Sequence, residues 1–193
     1  MGSGEPIQII LRGRKRDGFT LVELLVVVLI AAILMGIAVP AMESLVTANQ
    51  LTSVTDDFVT TLNLARSEAA RIGGPVSVTT SGGTNWGGSG WTVQSGTPAQ
   101  TLRNGGPVQS GYTLYSDASF NGAVTFDATG RLASGGTAGK FMVCQNNGPA
   151  GGGAARLIML NASGRVRIGL NYDSTGNPLD ENNNPVTSCT AVP

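Results

Sequence analysis

The sequence contains no histidine, so it lacks the commonest general base and the commonest metal ligand in proteins. Its two cysteines cannot form a standard zinc site without histidine. The glycine-rich stretches 81–83 and 87–89 lack the lysine of a phosphate-binding loop, and no nucleophile-elbow pattern is present. We therefore expect a protein that is not an enzyme and that holds no metal and no cofactor.

Charged residues are also scarce, at 12% of the 193 residues, with twelve basic and twelve acidic side chains. A net charge of zero gives no indication of a polyanionic partner. Glycine is abundant at 28 residues, yet apolar residues still reach 41%. This composition is typical of a β-rich domain with many turns outside the cytoplasm, and not of a disordered chain.

One long apolar run extends over residues 19–39 and contains a single charge, Glu23. As a helix the run would be about 30 Å long, which is enough to cross the hydrocarbon core of a bilayer. A basic cluster of the kind that stays cytoplasmic precedes it: Arg12, Arg14, Lys15 and Arg16. We therefore expect one membrane span, with the rest of the chain on the far side. A secretory signal is the alternative, but its apolar region is usually only about 7–15 residues long.

The two cysteines, Cys144 and Cys189, both come after this run. In an oxidising compartment such a pair is expected to form a disulfide. Closing a loop of about 45 residues would contribute roughly 4 kcal/mol in the chain-entropy model. Two free, buried thiols are the alternative.

A carboxylate within an apolar span is costly, so Glu23 indicates a function and a cationic partner. Residues 16–26 read RDGFTLVELLV, which resembles the processing site of type IV prepilins and type II secretion pseudopilins. The resemblance implies cleavage after Gly18 by a prepilin peptidase on the cytoplasmic side, and N-methylation of the new terminus at Phe19. It also implies that Glu23 pairs with the terminal amine of a neighbouring pilin subunit. A plain membrane anchor is the alternative.

Beyond the span, apolar residues recur at spacings of three and four and form one stripe of an amphipathic helix: Leu51, Val54, Phe58, Leu62, Ala65 and Ala69. We expect Pro40 to kink this helix without ending it, and Gly73, Gly74 and Pro75 to end it. One helix over residues 19–72 follows, with a membrane half and an amphipathic half.

Short alternating segments after the helix predict strands at 76–80, 91–94, 112–115, 123–127, 140–144, 156–161 and 165–170. We interpret Trp91 as a core residue and Trp86 as a loop residue. The tail 171–193 is rich in Asn, Asp and Pro, and it is interpreted as a loop fixed by Cys189.

The fold that these segments predict is α+β, with a long kinked N-terminal helix packed on a C-terminal antiparallel β-sheet domain. The expected parts are a leader at 1–18, a membrane and filament-core helix at 19–40, its amphipathic half at 41–72, and a β-rich periplasmic or extracellular domain at 73–193.

The predicted strand 165–170 carries Arg165 and Arg167 on one face, alternating with apolar residues on the other. Two guanidinium groups would then stand side by side in solvent, and arginine matches phosphate geometry bidentately. This pattern predicts a clamp for DNA phosphates, which Arg156 and Lys140 would extend if their strands are neighbours. A solvated hairpin with charges on its wet face is the alternative.

Several segments resemble the FimT/GspH branch of the pilin families: LARSEA at 64–69, GWTV at 90–93, VTFD at 124–127, GR at 130–131 and GRVR at 164–167. With the leader and helix, the resemblance covers residues 16–189. It implies a minor pilin of a type IV pilus or a minor pseudopilin of type II secretion. In the FimT branch, a Gly-Arg-x-Arg motif is associated with DNA binding during natural transformation.

We therefore expect a minor pilin that is anchored in the inner membrane with its domain in the periplasm, and that then joins a filament at the cell surface. Its expected partners are other pilin subunits, the prepilin peptidase and DNA, which Arg165 and Arg167 would bind non-specifically for uptake. No small-molecule substrate is expected. The alternative is a structural pseudopilin of type II secretion that has protein partners only.

Overall fold

The computed structural model describes residues 18–96, 98–133, 136–145 and 155–193, with the backbone alone at 40, 41, 43 and 44. The chain divides into two units, a first that ends at Glu43 and a compact second from Ser44 to Pro193. Apart from Gly18, the expected leader and its basic cluster lie outside the described residues.

The first element is helix α1, Leu21–Ile72. It begins where the Thr20 hydroxyl accepts a hydrogen bond from the Glu23 N–H at 3.2 Å, in the manner of an N-cap. It ends where Gly73 adopts a φ of +64°, a left-handed conformation that glycine tolerates. The helix therefore starts two residues later than predicted and ends where predicted.

The part of α1 in the first unit is apolar and exposed. Residues Leu21–Val39 have a mean hydropathy of 3.0, and none of this segment is buried. By length and composition it can cross a membrane. The helix continues through Pro40, which confirms that this proline does not end it.

The described part of the second unit contains eight strands: β1 Val76–Thr79, β2 Trp91–Ser95, β3 Gln100–Gly105, β4 Tyr112–Ser116, β5 Ala123–Phe126, β6 Gly139–Gln145, β7 Ala155–Leu160 and β8 Val166–Ile168. A one-turn helix, α2, spans Trp86–Ser89. The strands form two four-stranded antiparallel sheets, in the orders β3-β2-β1-β5 and β4-β6-β7-β8.

All seven predicted strands are present, with ends shifted by at most two residues. Sequence reasoning missed β3 and the division into two sheets. Strand β3 is an edge strand that is mostly exposed, so its sequence QTLRNG shows no apolar alternation. The pairing of strands into two sheets depends on contacts that are distant in sequence, which periodicity does not encode.

The apolar stripe predicted for α1 forms the centre of the core between the helix and both sheets. Its buried members are Leu51, Phe58, Leu62, Ala65 and Ala69, with Val54 partly buried beside them. They pack with residues of the first sheet such as Val93 and of the second sheet such as Ile158. The predicted amphipathic half of the helix is confirmed.

Phe58 is the hub of an aromatic cluster. Its ring centroid lies 4.8 Å from Phe141, 5.0 Å from Trp91 and 5.7 Å from Trp86, each in an edge-to-face arrangement. Such arrangements add about 0.5–1.5 kcal/mol per pair to the burial of the rings. One helical side chain therefore contacts β2 of the first sheet and β6 of the second.

The interpretation of Trp86 as a loop residue is wrong, whereas that of Trp91 as a core residue is confirmed. Trp86 lies in α2 and is fully buried. Its indole Nε1 donates hydrogen bonds to Ser116 Oγ at 3.2 Å and to Phe120 O at 3.1 Å. The surrounding glycines suggest a loop in the sequence, but these two acceptors satisfy the indole N–H in the interior.

The tail 171–193 is a loop, as predicted, and the predicted disulfide between Cys144 and Cys189 is confirmed. A second apolar cluster joins the tail to β6 and β7: Met142, Cys144, Ala155, Leu157, Val186 and Val192. These strand residues alternate with the core-facing ones, so the tail covers the outer face of the second sheet.

Phe58→Ala should lower the free energy of unfolding by about 3–5 kcal/mol, because it removes the ring that contacts both sheets. The measurement is chemical denaturation of the chain in neutral detergent, followed by tryptophan fluorescence. Both tryptophans lie in the second unit, so the signal reports on that unit.

Leu170→Ala is the control, since Leu170 is 77% exposed and its truncation should change the free energy by no more than about 0.5 kcal/mol. Equal effects of the two substitutions would contradict the central position of Phe58.

Candidate functional site

The hairpin between β7 and β8 sets the position of Arg165. Its turn, residues 161–165, is closed by hydrogen bonds from the Asn161 N–H to Arg165 O at 3.2 Å and from the Arg165 N–H to Asn161 Oδ1 at 2.9 Å. Gly164 has a φ of +75°, a conformation that favours glycine. The backbone of Arg165 is therefore held on both sides.

The same five-residue turn appears four times among the described residues, at 127–131, 161–165, 173–177 and 180–184. In each copy an Asp or Asn comes first, and its side-chain oxygen accepts the N–H of the fifth residue at 2.8–3.1 Å. The fourth residue always has a positive φ: Gly130, Gly164, Gly176 and Asn183. Local side-chain hydrogen bonding thus fixes these loops.

These hydrogen bonds also keep the turn carboxylates ionised. The side-chain amide of Asn177 is the main cause that lowers the pKa of Asp173 to about 2. The Thr129 hydroxyl is the main cause that lowers the pKa of Asp127. Both carboxylates are therefore charged at neutral pH and are already satisfied by their own turns.

Two of the four turns, 127–131 and 161–165, lie against each other, and we call them the paired turns. An ideal Cβ on Gly164 would lie 2.1 Å from Gly130 O, so no side chain larger than hydrogen fits at this contact. Arg66 of α1 packs beside both glycines, and its Nε donates a hydrogen bond to Gly130 O at 2.9 Å. The helix therefore holds the paired turns together.

Arg165 and Arg167 are both exposed, which confirms their predicted position in solvent. Val166, between them, packs partly against the core. Arg167 lies opposite Met159 of β7, and Met159 lies opposite Lys140 of β6. Alternation therefore places these three side chains on the outer face of the second sheet.

Lys140 lies on this face but on β6, which β7 separates from β8, and its ammonium group is already bound. Its Nζ lies 3.1 Å from Asp180 Oδ2, and the two side chains are only 16% and 6% exposed. Burial works to raise the pKa of Asp180, but hydrogen bonds from the Asn184 amide and the Lys140 ammonium outweigh it and leave the pKa below its usual value. A phosphate would have to displace this carboxylate to reach Lys140.

A cavity of about 270 Å³ opens beside the two exposed arginines. Its lining includes Met159, Arg165, Arg167 and the carboxylate-bearing Glu181. The region therefore holds three cationic side chains, Lys140, Arg165 and Arg167, and two carboxylates, Asp180 and Glu181. The tail turn 180–184 therefore moderates the positive charge of this face.

Arg156 does not join the arginine pair. Arg156 lies opposite Val143 and two residues before Ile158, and both of these residues face the core. Because side chains alternate along a strand, the side chain of Arg156 also leaves β7 on the core-facing side. Its Nη1 donates a hydrogen bond to the Tyr172 hydroxyl at 3.3 Å, and its Nε is buried without a partner among the described residues. The expected extension of the patch through Arg156 is therefore absent from the structure.

The second unit contains eight basic side chains, and most of them have a polar partner within the protein. Carboxylates bind Arg71, Arg103 and Lys140, while Arg66 and Arg156 bond to a carbonyl and a hydroxyl oxygen. Within the described part of the chain, the guanidinium groups of Arg131, Arg165 and Arg167 make no salt bridge and no hydrogen bond. All three belong to the paired turns or to β8.

The predicted processing residues lie at the start of α1. Gly18 and Phe19 precede the helix and are exposed, with Phe19 at 77%. Nothing lies within 4 Å of an ideal Cβ on Gly18. Glu23 is exposed in the first turn, where its backbone N–H completes the Thr20 cap. The expected cleavage point is thus a short accessible segment that leads directly into the helix.

Sequence reasoning missed the roles of Arg66 and Gly164 in holding the site together. A signal for the paired turns was present, because residues 127–131 read DATGR and residues 161–165 read NASGR. Two near-identical turns with an arginine in the same position indicate the same backbone geometry. No local pattern indicates that the two turns are in contact.

Gly164→Ala should lower the free energy of unfolding by at least about 2 kcal/mol. Alanine is strained in the left-handed conformation of this position, and its Cβ would clash with Gly130 O. Gly106→Ala is the matched control, since nothing lies within 4 Å of its ideal Cβ. The measurement is denaturation monitored by tryptophan fluorescence, and a neutral Gly164→Ala would contradict the close contact of the paired turns.

Comparisons with known proteins agree with this architecture. Residues 54–164 match the family described as Type II transport protein GspH, and residues 13–39 match the Prokaryotic N-terminal methylation motif. No curated protein sequence matches the chain significantly.

A crystal structure of the type IV minor pilin FimU of Pseudomonas aeruginosa is similar at 23% identity and a TM-score of 0.53, over 62% of this chain and 88% of that one. A second crystal form of FimU aligns at 26% identity and a TM-score of 0.45, over 63% and 89%. The chain belongs to the GspH family and has the pilin fold, with an apolar N-terminal helix and a C-terminal antiparallel β domain.

Proposed function

We propose that this GspH-family chain is a minor pilin of a type IV pilus that binds DNA non-specifically through Arg165 and Arg167. The observation that carries the DNA part is the pairing pattern of its basic side chains. Arg71, Arg103 and Lys140 have carboxylate partners, whereas the two arginines of the β8 hairpin project into solvent unpaired among the described residues.

The hairpin geometry suits contact with phosphates more than contact with base edges. Arg167 leaves the outer face of β8 and Arg165 directly precedes that strand, and each guanidinium group can bind a pair of phosphate oxygens. Phosphate contacts position a protein on DNA but do not specify the bases. We therefore expect weak, salt-dependent binding without sequence preference.

The N-terminal segment supplies the filament part of the proposal. The methylation motif covers residues 13–39, and Gly18 and Phe19 form an accessible segment before α1. We infer that a prepilin peptidase cuts after Gly18 and that Phe19 becomes the N-methylated terminus. The apolar helix would then remain in the inner membrane, with the β domain in the periplasm, until the subunit enters a filament.

Glu23 has a place in this assembly step. It is a single carboxylate on an apolar, exposed helical segment, and no ion pair involves it among the residues that the structure describes. Once lipid or neighbouring helices surround it, an unpaired charge is costly. Pairing with the terminal amine of a neighbouring subunit would remove this cost and favour one register between the helices.

A second function is favoured by the family description, which names type II transport. In that case the chain is a minor pseudopilin of a secretion system, and its partners are proteins only. The unpaired arginines would then be solvated surface charges. The filament part of the proposal is common to both functions, and DNA binding separates them.

Gly18→Val should block processing, because a branched side chain replaces the residue at the inferred cleavage point. Mass spectrometry of the chain from membranes that contain a prepilin peptidase should show an N-methylated Phe19 in the parent chain and an uncut leader in the variant. Gly36→Ala should be processed normally, since its ideal Cβ meets nothing within 4 Å. An uncut parent chain would contradict the inferred processing.

Arg165→Gln/Arg167→Gln should abolish or strongly weaken binding to a short random-sequence duplex. The measurement is fluorescence anisotropy over a series of salt concentrations, with the chain beginning at Phe19 in neutral detergent so that the basic leader is absent. Each lost phosphate contact reduces the slope of log K against log salt by about 0.9, so the slope should fall by about 1.8.

Arg71→Gln/Arg103→Gln is the charge-matched control, because it removes two arginines that already have carboxylate partners. It should bind DNA like the parent chain. A folded parent chain that fails to bind at low salt would remove the DNA proposal and leave the pseudopilin function.

A further inference from the structure

The paired turns bring a third exposed arginine next to the proposed DNA site. Arg131 ends the turn 127–131 as Arg165 ends the turn 161–165, and each arginine directly follows a glycine with positive φ. Arg131 is exposed, like Arg165 and Arg167. Since the two turns share one backbone geometry, the two arginines leave their turns from equivalent positions.

The contact between the turns is continuous along their backbones. Gly130 O faces Gly164, and the Leu132 N–H donates a hydrogen bond to Ala162 O at 3.2 Å. The two short segments 130–132 and 162–164 therefore run past each other in opposite directions. Arg131 lies in the middle of the first segment, and Arg165 follows directly after the second.

Arg131 makes no salt bridge among the described residues, although its charge is one of the lesser causes that lower the pKa of Asp127. The nearest acidic residue in its own turn is Asp127, whose Oδ1 already accepts hydrogen bonds from the Thr129 N–H, the Thr129 hydroxyl and the Arg131 N–H. The guanidinium group of Arg131 takes part in no salt bridge in the described part of the chain. Asp127 thus offsets its charge only through space, and the exposed guanidinium group can still contact an anion from solution.

We infer that the DNA backbone crosses the paired turns and that Arg131 binds a further phosphate beside those bound by Arg165 and Arg167. This inference rests on the proposed DNA binding and extends its site from one hairpin to the end of both sheets. Arg131 follows β5 of the first sheet, and Arg165 precedes β8 of the second. Three guanidinium groups spread over two turns and β8 suit a linear polyanion better than a single small phosphate compound.

Arg66 is a positioning residue for this extended site. Its Nε bond to Gly130 O and its packing beside Gly164 hold the two turns in contact. The spacing between Arg131 and Arg165 therefore depends on a helical side chain that need not touch DNA.

Arg131→Gln tests the inference in the same anisotropy titration, with the chain that begins at Phe19. Affinity for the random-sequence duplex should fall several-fold at low salt, and the slope of log K against log salt should fall by about 0.9. Arg131→Lys should keep most of the slope, because it retains the charge. Arg103→Gln is the matched control, since β3 and β5 are the opposite edges of the first sheet and Arg103 is paired with Asp57.

The outcomes separate the two proposals. If Arg131→Gln binds with the affinity and slope of the parent chain while Arg165→Gln/Arg167→Gln does not bind, the extended site is overturned and the DNA proposal stands. If the folded parent chain does not bind, both are overturned. Unchanged denaturation curves of Arg131→Gln should accompany the expected result, because an exposed surface charge contributes little to stability.

Discussion

The insertion of Phe58 between two sheets is the interaction on which the second unit depends. The helix, β2 and β6 each contribute an aromatic ring to this one contact, so none of the three can be buried without the others. The helix also carries Arg66 two turns further on, where it binds the carbonyl oxygen of Gly130. The packing of an apolar stripe thus fixes the position of a polar side chain, and that side chain in turn fixes the paired turns. The exposed arginines are arranged by the core although they do not belong to it.

Much of this architecture could be predicted from the sequence because it depends on local periodicity. The apolar run, the stripe from Leu51 to Ala69 and the alternation of the strands each follow from which side of an element is buried. Strand β3 and the environment of Trp86 could not be predicted in the same way. An exposed edge strand carries no apolar alternation, and the acceptors of the Trp86 indole lie 30 and 34 residues away. Such pairings are decided by the assembled fold.

The site was predictable in part for the same reason. Alternation alone placed Arg165 and Arg167 in solvent, since it requires only the strand itself. The environments of Lys140 and Arg156 depended instead on which segments pack over each face of the second sheet. Lys140 meets Asp180 because the tail folds back over β6, and Arg156 emerges on the core-facing side of β7. Charge counts describe a whole domain, whereas the availability of a charge depends on its nearest carboxylate.

The disulfide has a mechanical consequence for the hairpin that carries the arginines. Cys144 and Cys189 are separated by 45 residues, and both Arg165 and Arg167 lie inside the covalent ring that they close. A force applied to the hairpin and resisted at α1 reaches Cys144 by two arms, one through β7 and one through β8 and the tail. Both arms are covalent, so the hairpin stays tethered to Cys144 through one arm when the hydrogen bonds of the other are broken. Under the proposed DNA binding, a pull on the two arginines would therefore be carried to Cys144 along both arms at once.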